Sequence, residues 1–101
     1  SLFYDSTLQF VFMPEVESIT DSAFSNCPLT VICFLMVKSI DRYAFSNCTK
    51  LVQVFLPLCK ELGEACFYNC ATVKIINLPL VKTIGVNQLR NCRSLTDLII
   101  P

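Results

Sequence analysis

The residues best equipped for chemistry in this chain are its seven cysteines: Cys27, Cys33, Cys48, Cys59, Cys66, Cys70 and Cys92. A thiolate can bind zinc, form a disulfide or act as a nucleophile, and each use demands its own grouping of partners. Zinc ligands cluster tetrahedrally, commonly as cysteine pairs separated by about two to four residues, and Cys66 and Cys70 form the one close pair here. One pair does not complete such a site, and the chain has no histidine to finish it. The same lack rules out a Ser-His-Asp triad and a Cys-His pair. Glu15, Glu17, Glu61 and Glu64 are expected at turns rather than across a cleft from one another, and two glycines make no phosphate-cradling loop. No catalytic residue, metal or cofactor is therefore expected; a thiol redox role for Cys66 and Cys70 is a distant alternative. Asn47-Cys48-Thr49 fits the N-glycosylation pattern, and Lys38, Lys60 and Lys82 could form a basic stripe or simply a solvated face.

Four of the cysteines belong to a repeat. Asn-Cys falls at 26–27, 47–48, 69–70 and 91–92, in steps of 21, 22 and 22 residues. This divides the chain into units 8–28, 29–50, 51–72 and 73–94, with 95–101 opening a further unit and 1–7 ending a preceding one. In each unit apolar residues recur in columns: Leu29, Leu51 and Val73; Ile32, Val54 and Ile76; Phe34, Leu56 and Leu78; Val37, Cys59 and Val81; Ile19, Ile40, Leu62 and Ile84; Phe24, Phe45, Phe67 and Leu89. A column of one cysteine per unit strings its sulfurs in a line, so Cys27, Cys48, Cys70 and Cys92 are expected as small buried hydrophobes with reduced thiols. The asparagine amides of the same motif are expected to fasten backbone groups in a turn. Neither end carries a polar cap, as the terminal repeats of a solenoid need, which suggests a piece of a longer array.

A period of this length headed by Leu-x-x-Leu-x-Leu is a leucine-rich-repeat signature. The segments "LVQVFLPLCKELGEACFYNC" and "VKIINLPLVKTIGVNQLRNC" resemble the BspA-like leucine-rich repeats, with Leu-x-x-Ile-x-Leu-Pro, then Ile-Gly, then Ala-Phe-x-x-Cys. The resemblance covers essentially the whole chain. Departures are Leu35 for proline, Thr20 and Asp41 for glycine, and Gln88-Leu89 for Ala-Phe. It implies a right-handed solenoid in a single domain over 1–101, and it implies adhesion or interaction at a cell surface, since such repeats occur in surface proteins of anaerobic bacteria and protist parasites. Reduced thiols suit a cytoplasm equally, so the compartment stays open.

From the residues themselves, the Leu-x-x-Val-x-Leu head alternates with period two and predicts a short strand, one per unit, stacked into a curved parallel sheet on the concave side. The proline after it ends the strand. Gly63 and Gly85 are expected to take positive φ, with strain where Thr20 replaces them. Ala-Phe-x-Asn-Cys is too brief for a stable helix and predicts a helical or 3-10 turn on the convex side.

Strand positions between the inward residues face the concave side: Phe10 and Phe12, Val31 and Cys33, Gln53 and Phe55, Ile75 and Asn77, Asp97 and Ile99. An exposed row this apolar marks an interaction surface, and Phe12 and Phe55 are candidate anchors for a protein or peptide ligand. Strand propensity alone, or packing on another part of a longer chain, are the competing explanations. Eight Lys and Arg against eight Asp and Glu leave no field to gather nucleic acid, and the longest apolar run, Val31 to Val37, is far short of a bilayer span. The alternative function is a spacer that self-associates through its apolar face or uncapped ends.

Overall fold

The computed structural model describes residues 11 and 13–101. Its strands are β1 (Ser18–Ile19), β2 (Val31–Cys33), β3 (Ser39–Ile40), β4 (Gln53–Phe55), β5 (Glu61–Leu62), β6 (Ile75–Asn77) and β7 (Asp97–Ile99). All pair in parallel. One sheet has the order β2-β4-β6-β7, with Val31 opposite Gln53, Gln53 opposite Ile75 and Ile75 opposite Asp97. The other, of two-residue strands, has the order β1-β3-β5. The molecule is thus a parallel β-solenoid with almost no helix, wound so that each apolar column of the sequence becomes a line of side chains running along its interior.

Every second strand residue points inward, which explains why the columns are buried so completely. Leu51, Val54, Leu56, Phe45, Cys48, Phe67, Val73, Ile76 and Leu78 have no exposed surface. Phe24, Phe45 and Phe67 stack nearly parallel, at 5.4 and 5.6 Å between ring centroids, and Phe34 leans on the first two at 6.1 and 6.2 Å. Pro57 and Pro79 each take the second position of a β-turn closed by Cys59 N on the Leu56 carbonyl and Val81 N on the Leu78 carbonyl, a position for which proline's fixed φ is preorganised.

The Ala-Phe-x-Asn-Cys side is the one that differs from expectation. Among the described residues a 3-10 helix forms only in the fourth coil, at Val86–Leu89. In the three coils before it this side is a chain of β-turns over 21–26, 42–47 and 64–69. Amide groups alternate in purpose there. Ala23 N, Ser25 N and Cys27 N close turns on the Thr20, Ser22 and Phe24 carbonyls, while Ser22 N, Phe24 N and Asn26 N donate to Arg42, Ala44 and Ser46 of the next coil at 2.8–2.9 Å. The turns consequently form a third ladder between coils, with hydrogen bonds like those of a sheet.

In this ladder left-handed residues fall four positions apart within a coil. They are Asn26, Asn47, Asn69 and Asn91, at φ 60–64°, together with Ser22, Tyr43 and Ala65 at 53–57°. No glycine has positive φ, which corrects the expectation for Gly63 and Gly85, and Thr20 is not strained. The unfavourable conformation falls two residues later, on side chains that tolerate it less readily than asparagine does. Gly63 is required for a different reason: a Cβ there would overlap the backbone of Asp41 and Arg42, whereas one at Gly85 meets only Gln88 Oε1, at 4.0 Å.

Candidate functional site

Outside the core, the four-stranded sheet turns two rows of side chains outward. The first is Val31, Gln53, Ile75 and Asp97; the second is Cys33, Phe55, Asn77 and Ile99. Register therefore brings eight of the ten expected residues onto one face, within reach of their cross-strand neighbours. Cys33 and Gln53 are exposed; Val31, Phe55, Ile75 and Asn77 are half-buried, their flanks shielded by adjacent strands. Phe10 and Phe12, expected on the same face, lie outside the described residues.

The face is larger than the alternation in the strands foretells. At the corner after each strand, Met36, Leu58 and Leu80 stand exposed at 39%, 36% and 38%, joined in the second coil by Leu35 at 55%. They form a ridge alongside the Cys33–Phe55–Asn77 row. Its signal was present in the sequence as Pro57-Leu58 and Pro79-Leu80: a residue placed after the proline of a turn projects from the corner and cannot reach the core.

The cysteines take up the structural role. Cys33, Cys48, Cys59, Cys66, Cys70 and Cys92 are free thiols, and Cys27, Cys48, Cys59, Cys66 and Cys70 are buried. The thiol of Cys48 donates to the Phe24 carbonyl at 3.2 Å, that of Cys70 to the Phe45 carbonyl at 3.1 Å, and that of Cys92 to the Phe67 carbonyl at 3.2 Å. Each sulfur thus ties its coil to the one before, which a methyl group of similar size would not do. Burial pushes Cys59 and Cys92 up to about 11. The neighbouring Cys48 thiol and burial raise Cys70, while burial and the nearby Cys59 and Cys70 sulfurs raise Cys66. A redox pair needs an accessible thiolate, so Cys66 and Cys70 are poorly suited to that role. Among the described residues no three His, Cys, Asp or Glu side chains come together as metal ligands.

The asparagines differ from expectation in their partners. Asn69 Nδ2 donates to Asn47 Oδ1 at 2.8 Å and Asn26 Nδ2 to Ser25 Oγ at 3.3 Å, so these amides link side chains, and the backbone requirement they answer is the left-handed turn. Asn47, in the glycosylation pattern, is half-buried with its amide oxygen occupied by Asn69. Glu61 lies on β5 rather than in a turn. In the lysine column, Lys38 is exposed and pairs with Glu17 at 3.1 Å, an interaction of small energy at such exposure.

A stack of parallel coils with an apolar outward sheet face and a core of aliphatic, phenylalanine and cysteine columns defines a repeat scaffold of the leucine-rich type. The BspA type leucine rich repeat region matches residues 1–101 in six copies, and the chain belongs to that family. Neither a curated protein nor a solved structure matches the chain at a significant level. The family is one of interaction scaffolds and is typically non-enzymatic. Among the described residues no helix is long and apolar enough to cross a membrane.

Proposed function

We propose that the chain is a non-enzymatic scaffold that binds a protein or peptide on the outward face of its four-stranded sheet, as an adhesion or interaction module. The observation that carries this reading is the set of apolar side chains turned outward, Val31, Phe55 and Ile75 on the strands and the exposed Met36, Leu58 and Leu80 at the corner after them. A surface of this kind loses solvation cost on contact, and Phe55 at its centre has the rigid aromatic character of an interface anchor. Gln53 and Asn77, set among the apolar groups, supply hydrogen-bonding groups that orient a partner.

Panning a random-peptide phage library on the chain tests it, with the Phe55→Glu variant as the counter-target. Phe55 is only half-buried, so the variant keeps the circular dichroism of the parent. Clones enriched on the parent and absent on the variant are the expected result; clones that bind both equally would refute the reading.

A second reading, self-association, is favoured by β7, which among the described residues pairs with β6 alone, and by Leu98, Ile99 and the adjoining Ile100, exposed at 38–47%. Light scattering across concentrations separates the two, because a monomer at all concentrations excludes it.

A further inference from the structure

Side chains of the turn ladder that do not enter the core form columns of their own. Two residues before the phenylalanine column stand Ser22, Tyr43, Ala65 and Asn87, and one residue after it Ser25, Ser46, Tyr68 and Arg90. In the first coil both positions are small, and Ser25 is buried with its hydroxyl 3.0 Å from that of Ser46. Later coils carry larger side chains there, with Ala65 the exception in its column. This alanine is the floor of a depression of about 230 Å³, walled by Tyr43, Glu64, Tyr68, Asn87 and Arg90. Tyr43 of the second coil and Asn87 of the fourth stand on either side of Ala65 in the column, so the depression is bounded along the solenoid axis and opens sideways from the ladder. Asn87 is carried by the 3-10 helix, which Gln88 anchors: its Oε1 accepts from Gly85 N at 2.7 Å and its Nε2 donates to the Leu62 carbonyl of the third coil at 2.7 Å.

Two properties say what the depression would hold. First, the ladder sets Tyr43 at φ 55°, a conformation that a bulky side chain adopts at a cost, and the ring is nevertheless 42% exposed and adds little to the core. Second, among the described residues none of the five walling side chains has a hydrogen-bond or ion-pair partner; Arg42, which precedes Tyr43, is already paired with Asp21 at 3.0 Å. The unused groups are balanced. Glu64 only accepts, Arg90 only donates, Asn87 and the two phenols do both, and the two charges cancel. A cationic ligand would meet Arg90 and an anionic one Glu64. A sugar hydroxyl donates and accepts at once, so it can use every group in the set, and hydrogen bonds with one ionised partner are the stronger kind. A pyranose ring also presents a face of C–H groups, which suits the apolar body of a tyrosine.

We propose that this depression binds one hexose unit of a neutral polysaccharide. The C–H face of the sugar lies on tyrosine, and its hydroxyls are shared among Glu64, Asn87 and Arg90. The volume is below the roughly 300–1,000 Å³ of clefts that enclose drug-sized ligands, in keeping with a single ring. Because the site opens sideways, the neighbouring units of a glycan chain can continue across the surface. The turn ladder is a different side of the coil from the outward face of the four-stranded sheet, so the two readings stand or fall separately.

The test is affinity electrophoresis of the 101-residue chain in alkaline native gels that contain soluble mannan, galactomannan, dextran or laminarin, with pectate as the acidic comparison. Each protein is compared with itself in a gel without polysaccharide. The expected result is retardation by at least one neutral polysaccharide, with an affinity that falls by about tenfold or more in the Tyr43→Ala/Tyr68→Ser variant and is unchanged in Phe55→Glu. Absence of retardation in every neutral gel, retardation by pectate alone, or retardation indifferent to the two tyrosines overturns the proposal. So does retardation lost in Phe55→Glu, which would move the glycan to the four-stranded sheet. The tyrosine variant is expected to fold, because Ala65 occupies the Tyr43 column at φ 53° and Ser25 and Ser46 occupy the Tyr68 column. Should it not, Glu64→Gln/Arg90→Gln, at two exposed positions, is read by the same criteria.

Discussion

At the scale of single residues, identical letters do different jobs in successive coils. Gly63 lets a neighbouring backbone approach, and Gly85 faces open space at φ −89° and ψ 163°. Gly63→Ala should therefore destabilise the protein by about 1–3 kcal/mol through overpacking, while Gly85→Ala should leave stability unchanged or raise it by about 0.4–1 kcal/mol; urea denaturation of the two variants measures both. The thiols supply a pH dependence. Cys59 and Cys92 rise from the ordinary 9.0 to about 11, so the folded chain holds their protons more tightly than the unfolded chain does. Their contribution is complete below pH 9.0 and is lost as pH climbs toward about 11. The expected outcome is a melting temperature that falls over that window and falls less in a Cys59→Val variant.

At the scale of elements, each column carries one interaction from coil to coil. The phenylalanine column does so with rings inclined to 1° and 8° of one another, and Phe45 touches both Phe24 and Phe67. Phe45→Ala removes both contacts at once and leaves a cavity with no route to collapse, since its neighbours are held by ladders. It should cost about 3–5 kcal/mol, seen as a lower denaturation midpoint. The columns were legible in the sequence because burial in a solenoid depends only on spacing: Phe45, Cys48 and Val54 could be placed by counting. The second sheet and the turn ladder were not legible, because strands such as Ser39–Ile40 are too short to show alternation. Their hydrogen bonds join residues 20 to 23 apart, and the one visible clue, asparagine's tolerance of left-handed φ, was open to another interpretation. The outward row was legible wherever it is described, whereas the Met36–Leu58–Leu80 ridge was overlooked because those positions lie outside any strand.

At the scale of the whole molecule, coils are joined on three sides: by the four-stranded sheet, the three-stranded sheet and the turn ladder. The second and third coils are joined on all of them. The third and fourth share the four-stranded sheet and the turn ladder, through Phe67 N on the Gln88 carbonyl and Asn69 N on the Arg90 carbonyl, but on the remaining side, among the described residues, the connection is the Gln88 side chain on the Leu62 carbonyl. A rod built this way is not uniform along its length. Backbone pairing resists opening cooperatively, whereas a lone carboxamide can rotate away by itself, so this junction behaves as a seam. Motion that leaves the other coils closed would let the fourth swing there like a page on its binding.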